Sequence, residues 1–242
     1  MKIIVTKDYD ELSARAARLV VTAVRQQPTL VLGLATGQTP LGFYQQLVNA
    51  YWRGQISWAG VTTFNLDEYV GLRQQTDSFW SYMRTHFFNQ VDIKPERINF
   101  LNGQAASLTD ECANYERAIQ EAGGLDLQIL GLGLDGHIGF CEPGTAFASR
   151  TMVVKLTEST RSANRPQLAR LSSVPRQALT MGLATIMEAR RILLLASGRA
   201  KTQVVQRALY GPISEEVPAS ILQRHNNVLV LLDEAAAGGS NR

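Results

Sequence analysis

The chain has 242 residues, with 24 Lys and Arg against 21 Asp and Glu, a formal charge of +3, and 45% apolar residues. That length buries a substantial core in one large domain without cross-links, and the balanced, scattered charge excludes an acidic disordered tail or a histone-like nucleic-acid binder. Cys112 and Cys141 stand far apart with no C-x-x-C spacing, which excludes a disulfide framework and fits a reducing compartment.

In chain order, residues 3–6 read as a short apolar strand, followed too soon by Asp8, Asp10 and Glu11 to be a secretory leader. Asp8 is placed to cap a helix over 9–26. A continuously apolar run at 30–34 leads into Gly33-Leu34-Ala35-Thr36-Gly37-Gln38-Thr39-Pro40-Leu41-Gly42, a strand, a Gly/Thr turn and a helix over 41–51 with Pro40 at its start. Glycine lets a ligand approach the backbone, and the helix start adds unpaired N–H groups, so Thr36, Gly37, Gln38 and Thr39 suit an anion such as phosphate. The plainer alternative is an ordinary turn with Thr39 as helix cap. No Gly-Lys-Ser/Thr follows, so no nucleoside triphosphate is implied.

The next strand, 61–66, ends in Asp67-Glu68. Like charges at a strand end repel, and partial burial raises a carboxylate toward a useful general-base range. The alternatives are a solvated acidic turn or Asp67 as a cap on the next segment. Helices are expected over 79–88 and 108–122. The strand at 127–132 then opens Gly131-Leu132-Gly133-Leu134-Asp135-Gly136-His137-Ile138-Gly139-Phe140-Cys141-Glu142-Pro143-Gly144. Gly131, Gly133 and Gly136 match G-x-G-x-x-G, but Gly139, Pro143 and Gly144 would break the helix a dinucleotide site needs at the third glycine. Asp135, His137 and Glu142 lie within eight residues, enough to orient and support an imidazole as a proton relay. A metal site is the rival use of these ligands, although His86 and His225 sit in unrelated segments.

A helix over 178–188, a strand at 192–196, a helix over 200–209 and a strand at 228–232 follow, and the Ala/Gly-rich tail, 235–242, is expected to fray. Apolar strands alternating with helices predict one α/β domain over 1–242. Its sheet would be doubly wound, open, mostly parallel and Rossmann-like, with helices on both faces. No apolar run approaches the roughly 18 residues of a membrane span. The expectation is a cytoplasmic protein whose partner is a small molecule, not nucleic acid or membrane, acting as a monomer or homo-oligomer.

In this order, the segments L-G-L-A-T-G-x-T-P, F-N-L-D-E-Y-V-G-L and G-L-D-G-H-I-G-F-C-E-P-G resemble those of the glucosamine-6-phosphate deaminase family, also called glucosamine-6-phosphate isomerases. Weaker agreement extends to Val174-Pro175-Arg176-Gln177-Ala178-Leu179-Thr180-Met181-Gly182 and to residues 213–222. The resemblance implies conversion of glucosamine 6-phosphate and water to fructose 6-phosphate and ammonia, with no organic cofactor and no metal. It implies that Asp67 moves a proton between C2 and C1, and that His137, with Asp135 and Glu142, assists ring opening. Thr36, Gly37, Gln38, Thr39 and Lys201 would bind phosphate, and Gly131 the sugar. A lid is expected at about 143–175.

Two departures stand out. The family's phosphate arginine falls where Pro166 stands, and Arg165 lies one position early. That change keeps galactosamine 6-phosphate open as a substrate. Met152 and Val154 replace the basic residues of allosteric members, so no such activation is expected. A 6-phosphogluconolactonase and a sugar-phosphate-sensing domain are the alternatives from other classes.

Overall fold

A computed structural model describes residues 1–72, 78–168 and 174–239. Its elements are β1 (Lys2–Thr6), α1 (Tyr9–Gln26), β2 (Val31–Leu34), α2 (Leu41–Trp52), β3 (Thr62–Asn65), β4 (Asp67–Tyr69), α3 (Phe79–His86), β5 (Ile98–Asn99) and α4 (Leu108–Glu121). They continue with β6 (Leu127–Gly131), β7 (Met152–Lys155), α5 (Glu158–Asn164), β8 (Gln177–Thr180), α6 (Leu183–Met187), β9 (Ile192–Ala196), α7 (Thr202–Tyr210) and β10 (Val228–Asp233).

Seven strands form one parallel sheet in the order β1-β10-β9-β6-β2-β3-β5. Because alternate side chains face opposite sides, the unbroken run Ile192-Leu193-Leu194-Leu195-Ala196 feeds two cores at once. Ile192, Leu194 and Ala196 pack with α4, α6 and α7, while Leu193 and Leu195 pack with α1, α2 and α3. Asp8 caps α1 through Glu11 N at 2.9 Å, as its position before the helix predicts. The strand order reverses between the parallel neighbours β2 and β6, since β3 and β5 extend one way and β9 and β10 the other. The crevice outside the carboxyl ends of such a pair is where ligands bind in open α/β sheets.

A second, antiparallel sheet, β4-β8-β7, was not anticipated. Only Leu66 separates β3 from β4, and it is held to both sheets, by Leu66 N to Leu34 O at 2.9 Å and by Met181 N to Leu66 O at 2.8 Å. The helix expected over 178–188 is therefore half wrong. Residues up to Thr180 pair with Asp67, Glu68 and Tyr69 as β8, and the helix starts only after Gly182. Sheet pairing here overrides the helix preference of Ala178 and Leu179.

The tail also differs from expectation: Ala236 is buried, Asp233 accepts from its N–H, and Gly239 N returns to Glu234 O. Residues 240–242, and 169–173 of the expected lid, lie outside the described residues. No described helix is long and apolar enough to cross a membrane.

Candidate active site

Asp67 opens β4 at the junction of the two sheets, 6% exposed, with Oδ1 buried and without a hydrogen-bond partner among the described residues. Burial, and secondly the charge of Glu68, push its carboxyl up to about 8. Glu68 lives differently. Its carboxylate accepts from Tyr69 N at 2.9 Å and from Phe79 N and Trp80 N, at 3.0 and 2.9 Å, the opening N–H groups of α3. Those are orphan donors at the positive end of a helix. The cap read for Asp67 is therefore made by other residues: Ser78 caps α3 through Ser81 N at 3.1 Å, and the two opening N–H groups go to Glu68.

The glycine-rich loop after β6 is pinned against this strand. Thr180, opposite Asp67 on β8, accepts from Phe140 N at 3.1 Å. A Cβ at Gly139 would come 3.8 Å from Asp67 Oδ2. In the same loop Asp135 Oδ1 lies 2.6 Å from His137 Nδ1 and also accepts from His137 N at 3.1 Å. Burial pushes Asp135 up, but the hydrogen bond and charge of His137 prevail and hold it at about 2. In the neutral tautomer whose Nδ1 donates to Asp135, it is Nε2 that carries the lone pair. The loop needs Gly133, because a Cβ there would stand 2.2 Å from His137 Cε1. No helix begins at Gly136, which closes the dinucleotide reading.

Of the two acidic partners expected for His137, only Asp135 is bonded to it. Glu142 turns instead to Thr157, accepting from its N–H at 3.3 Å and its hydroxyl at 3.1 Å. Thr157 is the cap of α5, so Glu142 is joined to the segment read as a lid.

At the end of β2, Thr36, Gly37 and Thr39 are half-buried and Gln38 exposed. Thr39 is not the helix cap; that position is Pro40, which offers no side-chain acceptor. The N–H groups of Thr36, Gly37, Gln38 and Thr39 meet no acceptor among the described residues. Lys201 sits in a 3₁₀ turn before α7 and donates through Nζ to Leu132 O at 2.5 Å. Burial lowers its pKa, and the charge of Asp135 works against that shift. Asp233 braces this turn, accepting from Ser197 Oγ at 2.5 Å and Gly198 N at 3.0 Å. Gly131 ends β6 with open space where a Cβ would stand.

Arg165 stands apart. It is exposed, at the start of a 3₁₀ turn (Arg165–Leu168), and no hydrogen bond or ion pair among the described residues joins it to the other candidates. Sequence reasoning missed Thr180, Thr157 and Asp233, because their roles depend on pairings distant in the chain. Asp233 alone left a signal, as a carboxylate ending an apolar strand. A groove of about 670 Å³ beside exposed Trp52 lies at the opposite, amino edge of the sheet, away from these groups.

A family described as glucosamine-6-phosphate isomerases/6-phosphogluconolactonase matches residues 7–231. A glucosamine-6-phosphate deaminase of Oceanobacillus iheyensis is 51% identical over 98% of this chain and 95% of its own. Glucosamine-6-phosphate deaminase 1 of Bacillus subtilis is 47% identical over 98% of each. The solved structure of a monomeric glucosamine-6-phosphate deaminase superposes with a TM-score of 0.94 at 46% identity, covering 98% of this chain and 99% of that one. A 6-phosphogluconolactonase of Trypanosoma brucei shares the fold, with a TM-score of 0.76 at 24% identity over 98% and 97% of the two chains.

Proposed function

The chain belongs to the family of glucosamine-6-phosphate isomerases and 6-phosphogluconolactonases, and we propose that it deaminates glucosamine 6-phosphate to fructose 6-phosphate and ammonia. Full-length identity near one half lies with deaminases, whereas the lactonase resemblance is one of fold. The observation that carries the reading is Asp67, a buried carboxyl near 8 with an oxygen that has no hydrogen-bond partner among the described residues, in the sheet against which the loop of the Asp135–His137 pair is pinned.

The phosphate sits on the N–H groups of residues 36–39, with Lys201 adding a point charge. His137, oriented by Asp135, takes the proton of the anomeric hydroxyl and returns one to the ring oxygen, which opens the sugar to its aldehyde. Asp67 then removes the C2 proton. The C–H electron pair becomes the C1–C2 double bond, and O1 takes a proton from the substrate's ammonium, which leaves a neutral enolamine. Return of the proton to C1 moves the unsaturation to C2–N. Water adds to that iminium carbon, and ammonia leaves. Every step balances with protons and water alone.

A base with a pKa near 8 is only about one-tenth ionised at pH 7. The substrate's own ammonium, beside C2, lowers the pKa of a neighbouring carboxyl, so binding itself arms Asp67. The displaced arginine at Arg165–Pro166 favours one second reading, preference for the galactosamine epimer. Offering each amino-sugar phosphate separately, while quantifying ammonia and ketose phosphate together, decides between them. Equal release of both products from the glucosamine substrate supports the first reading, turnover of the epimer alone the second. Acid without ammonia from 6-phosphogluconolactone overturns both.

A further inference from the structure

Three tyrosines reach the turn after β2 from three helices, and each takes a main-chain carbonyl from it. Tyr44 of α2 donates to Ala35 O at 2.6 Å, and Tyr82 of α3 to Gly37 O at 2.7 Å. Tyr9, at the start of α1, reaches Thr39 O at 3.0 Å and Gln38 O at 3.3 Å. A trans peptide is planar, and its carbonyl and the next residue's N–H point in opposite directions. Every peptide bond described here is trans. Holding the carbonyls of Ala35, Gly37 and Gln38 therefore turns the N–H groups of Thr36, Gln38 and Thr39 the other way, and none of these meets an acceptor among the described residues.

The hydroxyls are held by packing. Tyr44 is fully buried, with its ring 6.4 Å from Tyr82 and 5.5 Å from Phe87. Burial keeps both phenols protonated, hence donors. Tyr9 also accepts from Gly42 N at 2.8 Å, which satisfies an orphan donor of α2 that Pro40 cannot cap. Gly42 leaves room for this, since a Cβ there would come 3.0 Å from the Tyr9 ring and 2.6 Å from Ser13 Oγ.

We propose that Tyr9, Tyr44 and Tyr82 are positioning residues of the anion-binding turn, holding its carbonyls outward so that its N–H groups converge on the substrate phosphate. The assignment rests on reading residues 36–39 as the phosphate site. Without these anchors a peptide plane can flip and present a carbonyl dipole to the anion, which repels it.

Tyr82→Phe and Tyr9→Phe remove one hydroxyl each and keep the rings. The measurements are kcat and KM for glucosamine 6-phosphate, and the competitive inhibition constant of inorganic phosphate. KM and the inhibition constant rise together by about 3–10-fold per hydroxyl, the range expected for one neutral hydrogen bond, while kcat moves less than about twofold. Gly42→Ala, which keeps the Tyr9 hydroxyl but places a methyl 3.0 Å from both that hydroxyl and the ring, displaces it from the turn and reproduces the Tyr9→Phe pattern. Unchanged inhibition constants in both tyrosine variants, with the wild-type protein inhibited by phosphate, overturn the assignment. So does a fall in kcat at constant KM. A wild-type protein that turns over substrate yet is indifferent to phosphate instead overturns the underlying phosphate reading, and the tyrosine assignment falls with it.

Discussion

Asp67 and Glu68 are chain neighbours, both buried, and the structure gives only one of them the start of a helix. Glu68 spends its charge on the α3 N–H groups, and from there it burdens Asp67, whose carboxyl it helps push to about 8. Glu68→Gln removes that charge. Asp67 must lose its proton to act, so kcat/KM rises with pH through its pKa, and this limb moves down by roughly 1 pH unit in the variant. The helix cap weakens as well, at a cost of about 1 kcal/mol. The pH–rate profile together with the thermal midpoint reads both effects. A limb that stays in place removes Glu68 from the electrostatics of Asp67.

Asp67→Asn deletes the proposed base and keeps the shape. We expect kcat to fall by about 10²–10⁴-fold, while competitive binding of inorganic phosphate at the turn persists. Stability changes in the opposite sense. The folded carboxyl near 8 stays protonated at pH values where the unfolded one, near 4, has ionised, so wild-type stability declines as pH rises from about 4 to 8. Asparagine has no such slope. The variant should gain on the wild type across that interval, reaching on the order of 1–3 kcal/mol by pH 8. Denaturant midpoints at pH 5 and pH 8 test the sign. A gain that shrinks as pH rises contradicts a raised Asp67.

What the chain discloses in advance follows from the range of the interactions involved. The parallel strands could be read because burial on both faces leaves them uniformly apolar, as at 192–196, and the cap at Asp8 is local. The small sheet could not. Asp67-Glu68-Tyr69 becomes a strand only because residues 178–180 return more than 100 positions later to pair with it, and Ala178-Leu179 on their own favour helix. The same limit applies at the candidate site. Asp135 and His137 are two residues apart and pair as read, whereas Glu142 finds Thr157 fifteen residues on. Chain proximity said nothing about that choice.

The Glu142–Thr157 contact ties a candidate acid to the cap of α5. Thr157→Val removes the hydroxyl and preserves the volume. Glu142 then keeps only the longer N–H contacts at 3.3 Å. A carboxylate freed in this way shifts kcat by about 3–10-fold, with little change in the inhibition constant of phosphate, since residues 36–39 lie on other loops. Thr157→Ser, which keeps the hydroxyl, should restore the wild-type kcat. Failure of serine to rescue would assign the effect to the packing of α5 and not to Glu142.

Gly133→Ala tests whether the His137 ring must lie where it does. The added methyl would fall 2.2 Å from Cε1, well inside contact distance, so the imidazole has to leave Asp135 or the loop has to move. Misplacement of a proton-transfer group by about 1 Å costs on the order of 10²-fold in rate. The fold itself should survive, because the loop is held independently by Phe140 N on Thr180 and by Ala219 N on Gly136 O. A variant that melts like the wild type, binds phosphate like the wild type and loses about two orders of magnitude in kcat therefore locates the defect at the imidazole. Full activity in the alanine variant would mean that His137 acts from another rotamer, and would detach the Asp135 pair from catalysis.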